Sequence, residues 1–348
     1  MAVSVSDIGE FGLIQRLEQA LGQTSTPDEI LISIGDDAAA WLPASGTITV
    51  ATTDALVEGV HFDLATTSWV DLGWKALAEN VSDIAAMGCL PRYGLLALGL
   101  PPTHLASDAE ALYRGVAECA RAFHCQVIGG DIVRSPCVIL QVTLIGESLP
   151  MSMDQGRRPL LERSRARPGD VLAVSGPLGG SAAGLRLLMQ GGSVSDAADD
   201  AEHVLVRAHQ RPQPRVDVGL ALVESGIRCA IDVSDGLVAD VGHICERSGV
   251  DVEIDAQRVP ILPEAQARFG DAALDLALSG GEDYELACAG DAVSIARASA
   301  LLVAQAGRPL VPIGVVTRQV GASPAVRVRG NDGVLRRVDV RGYEHFHG

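Results

Sequence analysis

Residues 50–62, VATTDALVEGVHF, are the stretch from which the fold and the site can be predicted. Its first two residues finish a predicted apolar strand, and Thr52, Thr53 and Asp54 follow at the carboxyl end of that strand. Ligands of open α/β sheets collect at such ends. Two hydroxyls and a carboxylate are hard oxygen ligands of the kind that Mg²⁺ prefers. Taken alone, a strand end with bonded hydroxyls and a solvated carboxylate explains the tripeptide more simply.

Glycine and carboxylate recur together elsewhere in the chain. Glu58 and His61 follow Asp54 across Gly59, close enough to line the same strand end. The other glycine-hinged acidic turns at predicted strand ends are Gly35-Asp36-Asp37, Gly129-Gly130-Asp131, Asp232-Val233-Ser234-Asp235-Gly236 and Ser279-Gly280-Gly281-Glu282-Asp283-Tyr284. One such turn is ordinary turn chemistry. Five of them in one chain indicate a shared site for divalent cations.

Composition limits the class of protein. The 348 residues are 47% hydrophobic, enough for two ordinary cores. The formal charge of −17 argues against nucleic acid, which requires a basic surface. The seven cysteines are odd in number and form no C-x-x-C pair. No apolar run approaches 18 residues, and the N-terminus lacks the order of a signal peptide, so we expect a cytoplasmic protein without membrane contact.

Residues 68–87 predict a long helix, with Ser68-x-x-Asp71 as a capping box and Gly88 as the stop. One face is apolar. Lys75, Glu79, Asn80 and Asp83 share the opposite face, for which a solvated Lys–Glu pair is the simpler explanation. Asp83 lies near the C-terminal end, where the helix dipole disfavours a carboxylate, and this points to a cation partner.

The order of predicted strands and helices suggests two domains of the α/β or α+β class, residues 1–149 and 150–348. Residues 93–100 are apolar on both faces and predict an edge strand that a second copy of the chain covers. A polar connection, residues 150–168, carries five arginines that could be solvated or could clamp phosphates. Residues 176–181 open a helix and resemble an anion-binding helix start, but the lysine of a P-loop is missing.

Nine short motifs occur in a fixed order along nearly the whole chain. They are Gly9-Glu10-Phe11, Gly35-Asp36-Asp37-Ala38, Thr52-Thr53-Asp54 with Glu58-Gly59 and His61-Phe62, Lys75-Ala76-Leu77-Ala78 with Asn80 and Ser82-Asp83, Gly129-Gly130-Asp131, His209 with Arg211-Pro212 and Pro214-Arg215, Asp232 with Ser234-Asp235-Gly236-Leu237, Gly280 to Leu286, and Gly342-Tyr343 with His345-Phe346. This ordered set resembles the thiamine-monophosphate kinase family. That family belongs to the ATP-binding superfamily that includes aminoimidazole ribonucleotide synthetase and selenophosphate synthetase.

The resemblance implies a fold and an activity. It implies two α/β domains, with the sheets of two N-terminal domains joined across a homodimer into a barrel and ATP in a cleft along that interface. It implies ATP-dependent phosphorylation of thiamine monophosphate to the diphosphate, with several Mg²⁺ ions and room for a monovalent cation. Phosphoryl transfer requires positioning and charge neutralisation more than covalent help, and a phosphate acceptor is already anionic, so we expect direct transfer without a catalytic base.

The resemblance also assigns residues position by position. The implied Mg²⁺ ligands are Asp37, Thr52, Thr53, Asp54, Asp83, Asp131, Asp232 and Asp235. The implied ATP contacts are Tyr113, Gly130, Asp131, Arg163 and Ser234. The implied contacts to thiamine phosphate are His61, Glu282 and Tyr343. The connection is longer than the family pattern and Arg165 replaces a usual glycine, so Arg157 and Arg158 are alternatives to Arg163. Ile132 stands where a threonine is usual, and Tyr113 is placed by its helix position alone.

Two other classes of protein fit parts of the pattern. The first is another enzyme of the superfamily, of the hydrogenase-maturation or purine-pathway type. Maturation enzymes carry a C-terminal cysteine, whereas this chain ends GYEHFHG, and selenophosphate synthetases need a reactive cysteine near the N-terminus, whereas the first here is Cys89. The second is a non-catalytic protein that binds divalent cations, which a nucleotide-binding titration would distinguish.

Overall fold

The computed structural model describes residues 3–22, 27–34, 38–150, 160–191 and 200–338. Asp37 and Tyr343 of the predicted site, and the alternatives Arg157 and Arg158, lie outside these residues. The chain divides into two compact units, one formed by Met1–Ile84 with Leu90–Arg158 and the other by Ala85–Cys89 with Pro159–Gly348. Among the described helices, none combines the length and the apolar character needed to cross a membrane.

The first unit combines three helices with two sheets in its described part. Its elements are α1 (Val5–Leu21), β1 (Ile30–Ile32), β2 (Ala40–Trp41), β3 (Thr49–Val57), α2 (Trp69–Ala86, whose last two residues belong to the second unit), β4 (Leu90–Leu100), α3 (Ala106–Ala122), β5 (Gln126–Arg134) and β6 (Ile139–Glu147). β1 and β2 form a small antiparallel pair. The four long strands form one sheet in the order β3-β6-β4-β5. Only β4 and β5 run parallel; the other two pairs are antiparallel.

This topology corrects three predictions. β4 is an inner strand between β6 and β5, so it is not the edge strand that was predicted. Thr52-Thr53-Asp54 lies in the middle of β3, and Gly129-Gly130-Asp131 in the middle of β5, so neither motif ends a strand. β3 and β5 are the two edge strands of this sheet, and each ladder continues through the polar residues.

The two long helices cover one face of the sheet. Glycines let α2 and α3 approach closely, because a Cβ at Gly73 would lie 1.9 Å from the Leu112 carbonyl oxygen and one at Gly115 would lie 1.8 Å from that of Val70. Alternate residues of β4 and β6, such as Leu96, are fully buried on the helix side. The opposite face is half-buried or exposed.

The second unit is a three-layer α/β structure. Its elements are β7 (Val171–Val174), α4 (Gly180–Met189), α5 (Asp200–Gln210), α6 (Val216–Glu224), β8 (Cys229–Asp232), α7 (Leu237–Ser248), β9 (Val250–Asp255), α8 (Pro263–Phe269), α9 (Ala272–Ser279), β10 (Leu286–Gly290), α10 (Ala292–Ala306), β11 (Val311–Arg318), β12 (Val326–Arg329) and β13 (Leu335–Arg337). The helices predicted at 237–248 and 292–306 are confirmed. Mixed α/β structure in both units confirms the predicted class.

The sheet of the second unit has the order β13-β12-β9-β11-β7-β10-β8 and a core on each face. Leu172 and Val174 of β7 join one core, whereas Ala173 between them joins the other, as strand alternation requires. β10 runs antiparallel to β8 and pairs Leu286 with Asp232. The end of β8 and the start of β10 therefore lie side by side, which brings two of the predicted acidic turns together.

Candidate functional site

The polar face of α2 is buried, contrary to the prediction of a solvated pair. Lys75 is 3% exposed and Glu79 is 8% exposed, while Asn80 and Ser82 are fully buried. The Asn80 side chain donates to the Ala76 carbonyl one turn earlier, and its Oδ1 has no hydrogen-bond partner among the described residues. Helix periodicity identified this face correctly, but it could not show that the protein covers the face.

Three of the predicted metal ligands meet beneath this helix. β3 directs Thr52 and Asp54 to the side of the sheet that α2 covers, and Asp83 comes from α2 itself. Thr52 Oγ1 donates a hydrogen bond to Asp83 Oδ2. Burial, together with the nearby charge of Asp83, raises the pKa of Asp54 to about 6. Two crowded, partly desolvated carboxylates with an adjacent hydroxyl fit a divalent cation, which would relieve their repulsion.

Thr53 and Asp131 lie on the opposite face of the sheet. The Thr53 hydroxyl contacts the Val142 carbonyl and the Thr143 hydroxyl, both at 3.0 Å. Asp131 on β5 is exposed, and the register places it beside Ala97 on the same open face. Because β6 and β4 separate β3 from β5, and Asp131 is two residues further along the sheet than Thr53, the two residues are more than about 14 Å apart at the usual strand spacing. One copy of the sheet cannot bring Thr53 and Asp131 to the same ion.

The turn after β3 fixes two polar side chains. The Val57 amide donates to His61 Nδ1 at 3.0 Å, so the neutral ring carries its proton on Nε2. Glu58 accepts the Val138 amide at 2.9 Å, which joins the turn to the start of β6. His61 is thus oriented as a hydrogen-bond donor through Nε2, whereas Glu58 has a structural partner in the fold.

The remaining predicted ATP contacts are divided between the two units. Tyr113 on α3 is buried, and burial raises the pKa of its phenol. Gly130 is required by packing, since a Cβ there would lie 2.0 Å from the Leu96 carbonyl oxygen. In the second unit, Arg163 is exposed and begins a short 3-10 turn. Neighbouring Arg165 bonds to Glu162 at 2.9 Å.

The second unit carries the other predicted carboxylates on the turn after β8. Asp232 is the last residue of the strand and is 2% exposed. Gly236 has a φ of 117°, and a Cβ there would lie 2.8 Å from the Ser279 carbonyl oxygen. Only glycine therefore allows this turn to pack against residues 279–284.

The carboxyl group of Asp240 on α7 accepts hydrogen bonds from the backbone of this turn. Its Oδ2 accepts the backbone amides of Ser234 at 3.0 Å, Asp235 at 3.1 Å and Gly236 at 3.0 Å. Burial raises the pKa of Asp240 to about 8, with the carboxylates of Asp232 and Asp235 adding to the shift. Asp240 is not among the predicted site residues, because a carboxylate in the first turn of a helix is common and belongs to no motif.

The turn that enters β10 is strained at two positions. Glu282 and Tyr284 have φ values of 65° and 50°, which L-residues rarely adopt. The Glu282 amide donates to the Ser234 carbonyl at 2.8 Å, and the Tyr284 amide donates to that of Val233 at 2.9 Å. Strain of this kind persists when the surroundings fix the backbone, and it concentrates at functional sites.

His209 contacts the side chain of Glu282. Its Nδ1 lies 3.1 Å from Glu282 Oε2 and 3.0 Å from the Ser181 hydroxyl. The imidazole is 7% exposed, so this contact lies inside the second unit. His209 belongs to one of the nine motifs, but nothing in the sequence indicates which carboxylate its side chain contacts.

Residues 176–181 do not present an open anion site. The Asp283 carboxylate accepts the Gly179 amide at 2.7 Å and the Ser181 amide at 3.1 Å, at the start of α4. The group at this helix start is therefore a carboxyl side chain of the same chain. Burial raises the pKa of Asp283 to about 7, even though these amides favour the carboxylate form.

An ion pair between Arg215 and the buried Glu285 lies next to the turn that enters β10 and to the loop of residues 176–181. The Arg215 guanidinium bonds to both oxygens of Glu285, which is 2% exposed, and the Ser175 hydroxyl also donates to that carboxylate. Gly176 leaves the space this carboxylate occupies, since a Cβ there would lie 2.6 Å from Glu285 Oε1. A buried charge with this many partners is one that a protein can retain.

The two units, each with carboxylates gathered on strands and glycine-rich turns, define a protein related to AIR synthase. Residues 35–148 match the family described as "AIR synthase related protein, N-terminal domain", and residues 167–326 match the corresponding C-terminal domain. Over 97% of its length the chain is 39% identical to the thiamine-monophosphate kinase of Escherichia coli (strain K12), of which it covers 98%. The chain belongs to the thiamine-monophosphate kinase family.

Solved structures agree with this membership. The thiamine-monophosphate kinase from Stenotrophomonas maltophilia K279a superposes with a TM-score of 0.78 at 39% identity, covering 94% of this chain and 97% of that one. The structure described as "AaThiL complexed with AMPPCP and TMP" gives a TM-score of 0.74 at 32% identity, covering 97% of both chains. Similarity of this extent over both units gives the chain the fold of the family.

Proposed function

We propose that the chain transfers a phosphoryl group from ATP to thiamine monophosphate and forms thiamine diphosphate. The observation that carries this proposal is the cluster of Thr52, Asp54 and Asp83, where two half-buried carboxylates lie close enough to repel each other. Family membership specifies the substrate, and a relative was solved with AMPPCP and TMP. Because ATP is the donor, we place the reaction in the cytoplasm.

Mg²⁺ fits the residues present in each unit. In the first unit, Thr52, Asp54 and Asp83 supply oxygen ligands on the helix side of the sheet, and Thr53 and Asp131 supply them on the open face. In the second unit, Asp232 and Asp235 supply them on one turn. When bound, divalent cations neutralise the phosphates and act as Lewis acids on the transferred group. Asp37, outside the described residues, is assigned to the same set by resemblance.

The side chains that contact the substrates follow the family assignment. Tyr113, Gly130, Arg163 and Ser234 are assigned to ATP, and His61, Glu282 and Tyr343 to thiamine phosphate. Among these assignments that of His61 is the best supported, because its ring proton is on Nε2 and an acceptor phosphate needs a hydrogen-bond donor. No base is required, since the acceptor oxygen is already anionic at neutral pH.

A homodimer completes the site in this proposal, with the sheets of two first units forming a barrel. The open face of the sheet and the edge strand β3 support it, because both are available for a second copy. The separation of Thr53 from Asp131 supports it further. A second sheet facing the first would bring the Asp131 of one copy towards the Thr53 of the other. We retain residues 1–149 and 150–348 as the domains of each copy.

The proposal is tested by incubating the protein with ATP, Mg²⁺ and either thiamine monophosphate or free thiamine, with chromatography of the products. We expect thiamine diphosphate from the monophosphate and essentially no product from free thiamine, whose hydroxyl would need a base. Protein incubated with labelled ATP alone should carry no label. Equal turnover of free thiamine, or a trapped phosphoenzyme, would contradict direct transfer between phosphates.

A further inference from the structure

We propose that Asp240 is a positioning residue that makes the turn after β8 face cations and closes it to phosphate. This inference rests on the proposed function and concerns a residue outside the ligand set given above. Asp240 is 2% exposed, and its Oδ2 is the acceptor for three consecutive amides, those of Ser234, Asp235 and Gly236.

Three consecutive amides that point to one place normally form an anion site. Such a group of N–H donors in front of a helix is how many proteins bind phosphate. Here the buried carboxylate of Asp240 takes all three, so an ATP phosphate has no backbone amide to bind at this turn. What the turn can offer to a ligand is its own carboxylates, Asp232 and Asp235. Carboxylates attract phosphate only through a bridging cation.

The start of α4 follows the same rule. Asp283 accepts the amides of Gly179 and Ser181 there, so both glycine-rich helix starts are occupied by carboxylates of the chain itself. In the second unit, the backbone amides at both places are therefore occupied by carboxylates, and at the turn after β8 the groups left for a ligand are the carboxylates of Asp232 and Asp235. This accounts for a glycine-rich sequence that binds nucleotide without a P-loop.

Asp240 also sets the geometry of the ligands. The amides of the turn are held by Asp240, while the Ser234 carbonyl accepts the Glu282 amide at 2.8 Å. With both sides of the peptide between Ser234 and Asp235 held, the direction of the Cα–Cβ bond of Asp235 is fixed as well. Loss of Asp240 would leave three buried donors unsatisfied, at a cost that the turn can reduce only by rearranging. Substitution of a residue that holds metal ligands in place typically lowers metal affinity or activity by about 10- to 100-fold.

The test compares Asp240→Asn with a matched control, Asp251→Asn. Asp251 is also a fully buried aspartate of the second unit, and its carboxylate accepts the amides of Val320 at 3.0 Å and Ala325 at 2.8 Å. We expect Asp240→Asn to raise the half-saturating Mg²⁺ concentration at least about tenfold. At saturating Mg²⁺, we expect the kcat of Asp240→Asn to lie much closer to that of the wild type than its activity at low Mg²⁺ does. Asp251→Asn should lower stability and leave the Mg²⁺ requirement unchanged.

A binding measurement keeps the test independent of turnover. Mn²⁺ alone is titrated into the full chain and followed by the electron paramagnetic resonance of the free ion, with folding checked by circular dichroism. Weaker Mn²⁺ binding in folded Asp240→Asn is expected. Should that variant not fold, Asp240→Glu keeps the charge and displaces the carboxylate, and it should weaken Mn²⁺ binding as well.

The contradicting outcomes are separate for the two proposals. Wild-type protein that does not consume ATP in response to thiamine monophosphate would count against the proposed function. Active wild-type protein with unchanged Mn²⁺ binding in folded Asp240→Asn or Asp240→Glu would overturn only the role of Asp240. His243 lies near Asp235 and Asp240, their ligand atoms within 4.8 Å of one another. An equal loss of Mn²⁺ binding in His243→Ala would overturn the positioning role in favour of direct ligation.

Discussion

At the scale of single residues, the carboxylates differ in what they do for the fold. Asp54 is crowded by Asp83, whereas Asp283 is surrounded by donors at a helix start. The first is unfavourable in the protein without metal, and the second connects two elements. Their substitutions should therefore affect different measurements.

Substitution of Asp54 by Asn should lower the rate of phosphoryl transfer strongly and hardly affect folding. It removes a ligand charge, and several kcal/mol of transition-state stabilisation correspond to about 10²-fold or more in kcat. Steady-state kinetics at several Mg²⁺ concentrations, with thermal unfolding alongside, measure both effects. Asp28→Asn, at an exposed position of the same unit, is the control. Near-normal activity of Asp54→Asn at limiting Mg²⁺ would contradict the metal assignment.

Asp283 should make the stability of the protein depend on pH. Its pKa is raised from 3.8 to about 7 in the folded protein. The carboxyl group therefore contributes most to stability below pH 3.8, and that contribution is lost as the pH rises towards 7. Each pKa unit corresponds to about 1.4 kcal/mol, so the loss amounts to a few kcal/mol.

Denaturant unfolding of wild type and Asp283→Asn at pH 5 and pH 8, without metal, measures this effect. The difference in unfolding free energy between the two proteins should shift in favour of the variant as the pH rises. Taking the difference removes the contributions of the other raised carboxylates, Asp54 and Asp240. A constant difference between pH 5 and pH 8 would show that Asp283 does not titrate in this range.

At the scale of helices and strands, the sequence predictions that held were those that depend on local patterns. The helices were predictable because their apolar periodicity and glycine stops are local properties, as in α7 and α10. Thr52 and its neighbour Thr53 point to opposite faces of the sheet because β3 continues through both residues. The polar residues of the motif, which lie on an edge strand, were interpreted as the end of the strand. The contacts of His209 and Asp240 depend on distant segments meeting, which no local pattern encodes.

The Arg215–Glu285 pair tests how firmly the turns of the second unit are anchored. Removing one partner leaves a buried charge, so Arg215→Met should lower the unfolding free energy by about 3–5 kcal/mol. The double variant Arg215→Met with Glu285→Leu should recover part of that loss. Arg308→Ala breaks a half-exposed pair with Asp217 and should cost about 0–1 kcal/mol. Chemical denaturation of the four proteins distinguishes anchoring from a surface contact; equal effects of Arg215→Met and Arg308→Ala would contradict it.

At the scale of the whole molecule, the open face of the first-unit sheet requires a second copy in our proposal. Light scattering at micromolar concentration should give twice the mass of the 348-residue chain. Ala55 is exposed on β3 and faces the side of the sheet that the helices leave open. Ala55→Arg should shift the mass to that of a monomer, because the charge of the arginine would lose its water between the two sheets.

The control for this prediction is Ala65→Arg, an exposed position in the turn that follows the same strand. It should leave the mass unchanged, which excludes added charge as the cause. If Thr53 of one copy and Asp131 of the other share an ion, the monomeric variant should also bind less Mn²⁺ per chain. A monomeric wild-type protein, or a monomeric Ala55→Arg with full metal content, would contradict a site completed by the dimer.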